Sequence, residues 1–549
     1  MPETFGRTKD CTYFCPINIQ NIKNIMRHIL LILLVALCTA CAAWGQSTIK
    51  LPMTYGNSMV LQRERPIPLT CEATPGTTVR ATLTDAHGKA VKTSAHADAK
   101  GHWTATLPAM PAGGPYTLTF TAGKEHRELT DVWVGEVWLC SGQSNMELQL
   151  DNIATARRDL ATADTLSRLH LLNMPSPWPV YAQVWPASFT DSIDRHLVHQ
   201  TGSWARCNAK TAAPFSAIAF HFGRVLADSL KCHVGLINNA VGGATTEGWI
   251  DSLSLATEVP EILQGDWRKN PNIMEWARQR ADYNLSASPT DRPHRHPYAP
   301  TFLYDEALRP VAGYGLRGVI WYQGESNADL PQMHARLFPL LEKSWRKAFA
   351  NPELPFITVQ LSSIATRPIW PEFRNSQRLL ADSLPNTWMA VSSDLGDSLD
   401  VHPRRKAPVG ERLAASALHN VYGLEHVVPE GPKPVVAVLF NDGNVAIRFK
   451  HADGLRTADG KAPITFELAG SDGVFHPATA TVSNHAVKLK AEGVDHPVEV
   501  RYGWQPFTHA NLVNAVGYPC STFRMKVLTT ADLKRIDAEA HRSLGQKKQ

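Results

Sequence analysis

Asp131-Val132-Trp133-Val134-Gly135-Glu136-Val137-Trp138-Leu139-Cys140 runs without a break into Ser141-Gly142-Gln143-Ser144-Asn145-Met146-Glu147. An apolar run of strand length that opens onto a glycine-bearing turn marks the start of an α/β unit. The same texture returns downstream. Apolar runs at 233–238, 317–322, 355–361 and 387–392 read as strands, and amphipathic stretches at 217–229, 332–349 and 408–421 read as helices. Unusual strings follow four of the five strands. After 141–147 come Ala240-Val241-Gly242-Gly243-Ala244-Thr245-Thr246-Glu247-Gly248-Trp249 and Trp321-Tyr322-Gln323-Gly324-Glu325-Ser326-Asn327, then Asp394-Leu395-Gly396-Asp397-Ser398-Leu399-Asp400-Val401-His402-Pro403. In an open parallel sheet the loops at the strands' carboxyl ends meet at one crevice, so four sequence-distant strings predict one site.

On either side the texture is β. From 47 to about 130, short alternating runs at 78–83, 103–107 and 116–121 are separated by turn clusters at 86–88 and 111–115, which suits a small sandwich. After 429–434 the runs at 435–440, 445–450, 464–469, 487–491 and 498–503 repeat the pattern, and 530–549 reads as a helix with a polar end. The expected division is a leader at 1–45, an N-terminal β-sandwich at 46–130, an α/β core at 131–428, a C-terminal β-rich region at 429–530 and a polar tail at 531–549.

Composition excludes several classes. With 549 residues, 44% hydrophobic and 19% charged, the chain is too long for one small module and too apolar to be mostly disordered. Lysine plus arginine (55) exceeds aspartate plus glutamate (50) by five, and the longest basic block is Arg404-Arg405-Lys406, too thin a balance for nucleic-acid binding. The 38 prolines, 35 glycines and 15 tryptophans point to many turns, and to indoles for packing or sugar stacking.

The apolar run at 29–37 follows Arg27 and His28 and is far shorter than the roughly 20 residues of a membrane span. With Ala43-Trp44-Gly45 behind it, this describes a secretory signal cleaved before Gln46, and hence a secreted or periplasmic protein. Met26 directly precedes Arg27, so 1–25 reads as an upstream misassigned start. A lipid anchor at Cys41 ranks second, since Cys38 stands where a lipobox carries leucine. Without 1–45 the balance is 51 basic against 48 acidic residues, and Cys71, Cys140, Cys207, Cys232 and Cys520 remain. They are scattered and odd in number, which fits free buried thiols better than a disulfide framework or zinc site; a single Cys207–Cys232 bridge is the alternative.

Each string has an ordinary reading. Ser144 suits a helix N-cap, Gly242-Gly243 a turn, and His402 a hydrogen-bonded loop histidine. Together they form a hydrolase kit, because nucleophilic catalysis needs a hydroxyl, a base within reach and a group that orients the base. Asp400 and His402, two apart, project to one side of an extended loop, and Asp394 and Asp397 are alternative orienters. A metal site on His294 and His296 is the weaker reading, because their Pro-Arg-rich setting reads as a loop without acid–histidine metal spacing. A non-catalytic carbohydrate-binding protein is the other rival, on account of the two β regions.

The strings resemble those of the sialate O-acetylesterase family, a branch of the SGNH (GDSL-like) hydrolases. Met59-Val60-Leu61-Gln62 resembles its N-terminal β signature, 138–147 its nucleophile block and 318–327 its third block. Residues 400–403 with Lys406, Gly410 and Arg412-Leu413-Ala414 resemble its histidine block, and Arg501-Tyr502-Gly503-Trp504 to Asn511-Leu512 its C-terminal β region. The resemblance implies a flavodoxin-like SGNH hydrolase core with a parallel sheet, and cofactor-free hydrolysis of acetyl esters on sialic acid, with acetylated xylan or another glycan as the alternative. It implies Ser144 as nucleophile and His402 as general base, while Asp400 stays the orienter read from its spacing to His402. The oxyanion donors would be the N–H groups of Ser144 and Gly243, with Gln323 preferred to Asn327 as a third. Here the chain departs from the superfamily's Gly-x-Asn-Asp block, since Ser326 aligns with its asparagine, and from Asp-x-x-His, since residue 399 is leucine. Gln143, Trp249, Glu325, Arg374 and Gln377 are the expected substrate contacts.

Overall fold

The computed structural model describes residues 49–536 and Glu539. The leader, its cleavage site and Cys41 lie outside the described residues. The decisive stretch forms strand β1 (Glu125–Gly142), which begins six residues earlier than the apolar run suggested. Its two halves differ in burial for a reason written in the sequence. From Glu125 to Val134 exposed and buried residues tend to alternate, and this half pairs antiparallel with Gly113–Ala122. From Gly135 onward every residue is buried, and this half is flanked by parallel strands. A sheet covered on both faces reads as a continuous apolar run, while one covered on a single face alternates. Position 131, where the texture was expected to change, lies inside this strand with a left-handed backbone, φ 58°.

The other strands of the central sheet are β2 (Leu169–Asn173), β3 (Ser203–Arg206), β4 (Val234–Asn238), β5 (Gly318–Tyr322), β6 (Phe356–Gln360) and β7 (Thr387–Val391). Their order is β7-β6-β5-β1-β4-β2-β3. All neighbours are parallel except β3, which runs antiparallel to β2 at the edge. Four of the five expected strands lie within a residue of their observed bounds; β2 and β3 were missed. His170, the second residue of β2, breaks the apolar pattern, and its burial is compensated by ring contacts to Ser58 O and His233 Nδ1, each at 2.7 Å.

The sheet separates two apolar cores. Val137 and Leu139 of β1 face one, with Trp321 and with Leu337, Leu341 and Trp345 of helix Pro331–Ala348. Trp138 and Cys140 face the other, with Ile320, Phe222 of helix Ala217–Leu230 and Leu413 of helix Ala407–Asn420. The observed ends of these three helices fall within a residue of expectation. The first half of β1 also joins strands Thr78–Asp85, Ala90–His96 and Gly113–Ala122 into the same 11-stranded sheet, while Ile67–Glu72 and His102–Leu107 form a separate two-stranded one. Toward the C-terminus seven strands close into a barrel around their own core of Ile447, Leu468, Leu489, Val500 and Phe523. Two of these, Phe475–Ser483 and Phe523–Leu528, were not anticipated. All five cysteines of the described residues are buried and free, with no Cys207–Cys232 bridge. No helix among the described residues is long and apolar enough to cross a membrane.

Candidate functional site

β1 sits where the chain changes direction across the sheet, and its carboxyl end leads into the first string. Gly142 ends it with φ +135°, and a Cβ there would lie 2.1 Å from the carbonyl oxygen of Tyr322. Only glycine lets β1 approach β5 so closely. Gln143 is extended (φ −121°), and Ser144 begins a four-residue helix, Ser144–Glu147, whose Met146 and Glu147 N–H groups bond Gln143 O at 2.8 and 3.0 Å. Ser144 is thus delivered by the end of the central strand.

His402 arrives from the loop between β7 and helix Ala407–Asn420, and its Nε2 lies 2.8 Å from Ser144 Oγ. That is hydrogen-bond distance between a hydroxyl and a base 258 residues apart in sequence. Burial holds His402 below the usual imidazole range, with Lys406 adding to the effect and Asp400 opposing it. A neutral imidazole is the form that accepts a proton. Asp400 lies close but does not bond the ring: its carboxylate accepts the His402 backbone N–H at 2.8 Å, and the ring Nδ1 is 3.8 Å away. The alternative orienters are engaged elsewhere. Asp394 holds Arg412 through two 2.7 Å bonds, and Asp397 takes the N–H groups of Leu399 and Asp400.

Ser144, His402, Asp400, Glu147 and Arg404 share an open pocket of about 400 Å³. A larger cavity of about 620 Å³, beside Arg65 and Pro68, contains none of this chemistry. Glu147 had no expected role, although its i+3 spacing from Ser144 puts it on the same helix face. Burial pushes its carboxyl up to about 7, while the Gly242 N–H pulls it back. Gly243, next in the chain, has φ +68°, and a Cβ there would strike Tyr298 Oη at 2.0 Å. No acceptor among the described residues takes the Gly243 N–H.

Several expected contacts fall elsewhere. The Gln323 amide donates to Ala244 O at 3.1 Å and Asn327 Oδ1 at 2.7 Å, and its oxygen accepts the Thr246 hydroxyl. The Asn327 amide donates to Glu247 at 2.9 Å, and its oxygen also accepts Thr246 N. Both side chains hold the 240–249 loop: the two N–H groups of the Gln323 amide are both engaged there, and one of the two on Asn327. Trp249 is fully buried, edge-on to Trp321 and Trp345, and does not reach the pocket. Arg374, expected on substrate, is fully buried and bonds Ser363 Oγ, Gly503 O and Gln505 O; it joins the core to the barrel. Gln377 bonds Leu361 N, Gln323 O and Val359 O. Gln143 anchors Gly324 N and Ser326 N through its oxygen, and Glu325 binds Asn145. His294 is held by Asp194 and Pro289 O, and His296 by Asn284 and Tyr298 N, so all four ring nitrogens already have partners.

Residues 271–419, a span that includes His402, match a family model described as carbohydrate esterase, sialic acid-specific acetylesterase. The chain is similar to human sialate O-acetylesterase, 29% identical over 82% of this chain and 86% of that one. It is also similar to the mouse sialate O-acetylesterase, 28% identical over 75% of this chain and 80% of that one. Among solved structures, a carbohydrate acetylesterase from Xanthomonas citri superposes with a TM-score of 0.71 at 30% identity, covering 87% of this chain and 99% of that one.

Proposed function

The chain belongs to the sialate O-acetylesterase family, and from that premise we propose that Ser144 and His402 carry out its chemistry, the removal of acetyl groups from sugar hydroxyls. It is a carbohydrate O-acetyl esterase, and so a carboxylic-ester hydrolase. The observation that carries the residue assignment is the 2.8 Å contact between Ser144 Oγ and His402 Nε2 inside an open pocket.

In the proposed reaction His402 takes the Ser144 proton as Oγ attacks the acetyl carbonyl. The oxyanion is held by the Ser144 N–H and the Gly243 N–H. His402 then gives its proton to the departing sugar hydroxyl, which leaves an acetyl-serine. Water, deprotonated by the same imidazole, attacks this ester, and the imidazolium returns the proton to Ser144 Oγ as its bond to the acyl carbon breaks and acetate leaves. Asp400 steadies the backbone of His402 and sits near enough to favour the imidazolium that forms in each half.

For the finer points, we propose sialic acid O-acetyl esters as the substrate. The Arg404 guanidinium on the pocket wall supplies a cation for the sugar carboxylate. Acetylated xylan or another glycan is the second reading, favoured by the broader description of the Xanthomonas citri relative. Acetate release from O-acetylated sialic acids beside acetylated xylan, by wild type and Ser144→Ala, tests both. Release by wild type alone supports the assignment; an unchanged rate in Ser144→Ala overturns it. We propose further an SGNH-type core at 131–428 between β regions at 46–130 and 429–530, and export by a cleaved leader. A mature N-terminus at Gln46, read by Edman sequencing of protein from the periplasm or medium, supports export; retention of 27–45 overturns cleavage there.

A further inference from the structure

Three side chains from distant segments meet behind the Ser144–His402 pair. The Asn145 amide donates to Glu325 at 2.5 Å and to the carbonyl of Val401 at 3.0 Å. Its oxygen accepts from the Lys406 ammonium. All three side chains are buried, and Asn145 completely so. Asn145 directly follows the serine and Val401 directly precedes the histidine. One carboxamide therefore ties the peptide of the nucleophile to the peptide of the base. Its orientation is fixed by charge, since only its oxygen can face an ammonium and only its NH₂ can face a carboxylate.

We propose that Lys406, Asn145 and Glu325 form a positioning unit that holds His402 over Ser144 and, through the Lys406 charge, keeps the imidazole able to accept a proton. The proposal rests on the esterase reading and adds to it a reason for a buried lysine. An ammonium buried this deeply is costly unless it is compensated, and an apolar side chain of similar size would be cheaper for stability alone. Here the compensation is indirect: among the described residues no carboxylate bonds Lys406, and the Asn145 amide stands between it and Glu325.

The groups facing His402 are Ser144, Asp400 and Lys406, with Glu147 and Arg404 elsewhere on the pocket wall. Those facing Lys406 are Glu325, Asp400 and the Tyr322 ring, 5.6 Å from Nζ. Burial brings Lys406 down to about 7 against the pull of Glu325 and Asp400. Below that pH it is charged and opposes protonation of His402, in the range where the imidazole would otherwise gain a proton. The base then stays neutral further into acid. Removing the lysine moves the acid limb of kcat/KM to higher pH. Removing the Glu325 charge takes away one of the two groups that hold the proton on Lys406, so the ammonium opposes His402 over a narrower range and the limb again moves to higher pH, by less than when the lysine itself is removed. A merely structural role predicts neither displacement.

The test uses the full chain and p-nitrophenyl acetate, with rates measured from about pH 4 to 9 for wild type, Lys406→Met, Lys406→Gln and Glu325→Gln. Lys406→Met is expected to lose about tenfold or more in kcat with KM little changed, because a base displaced slightly loses rate rather than affinity. Lys406→Gln still donates to Asn145 and is expected to keep more of kcat. In both lysine variants the acid limb rises by about one unit, and in Glu325→Gln it rises by less. If Lys406→Met does not fold, Lys406→Gln and the near-isosteric Glu325→Gln carry the test. Acid limbs that superpose on wild type in the folded variants overturn the positioning unit, whatever happens to kcat. A wild type that releases no acetate from any acetyl ester overturns the esterase reading itself.

Discussion

Ser144 and Asp400 occupy different ranks in the pocket, and distances set the ranking. The Ser144 hydroxyl touches the His402 imidazole, so under the proposed mechanism Ser144→Ala is expected to lower acetate release by about 10³-fold or more, measured as kcat with the melting temperature unchanged. Asp400 bonds the backbone of His402 and not its ring. Asp400→Asn should therefore cost far less than the roughly 10⁴-fold seen where an aspartate bonds the catalytic imidazole. A loss of that larger size would mean that the ring turns toward Asp400 in the working enzyme. Glu147 yields a pH prediction. Its carboxyl, raised to about 7 by burial, is largely neutral below that pH and charged above it. For a sialic acid ester, whose own carboxylate is negative, KM should rise as pH passes about 7, and Glu147→Gln should flatten the rise. A parallel titration on a neutral acetylated sugar should show no such rise in either protein.

At the scale of elements, the end of β1 is held by a glycine that another residue cannot replace. Gly142→Ala would set a Cβ against the Tyr322 carbonyl in a backbone conformation hostile to side chains. A loss of more than about 2 kcal/mol in urea unfolding is expected, together with a fall in kcat because Ser144 follows two residues later. The central strands were legible because aliphatic and aromatic runs such as Gly318–Tyr322 are buried on both faces and bounded by turns. Leu169–Asn173 was not, since His170 is tolerated only through Ser58 and His233, partners that no local pattern announces. The site divides the same way. Ser144, His402 and the glycine loop carry local signatures, and Glu147 could have been found from its spacing to Ser144. The Asn145–Lys406 contact joins residues 261 apart, and Arg374 turns toward the barrel rather than the pocket. Helical spacing tells which residues share a face but not what that face meets.

Across the whole molecule, Glu136 is the charged centre of the junction. Fully buried in β1, it is bonded by Arg63 at 2.5 Å, Arg317 at 2.8 Å and Gln62 at 3.1 Å. Burial alone would raise its carboxyl, but Arg317 and Arg63 bring it below the usual range. Glu136→Gln leaves two arginines without their shared anion and should cost about 3 kcal/mol. Because β1 runs through both the N-terminal strands and the parallel sheet, these should unfold together. Circular dichroism and tryptophan fluorescence should then give one urea midpoint, displaced equally by the substitution; separate midpoints would contradict a shared strand. The same continuity restricts how the length of the chain can change. One residue inserted between Glu125 and Gly142 would exchange the faces of every downstream side chain, sending Trp138 and Cys140 toward the core that receives Val137 and Leu139. A second insertion would restore the faces but advance Ser144 by about 7 Å, well beyond the reach of His402. The strand thus works as a gauge of fixed length, and viable length variation among related chains belongs in the turns at either end of it.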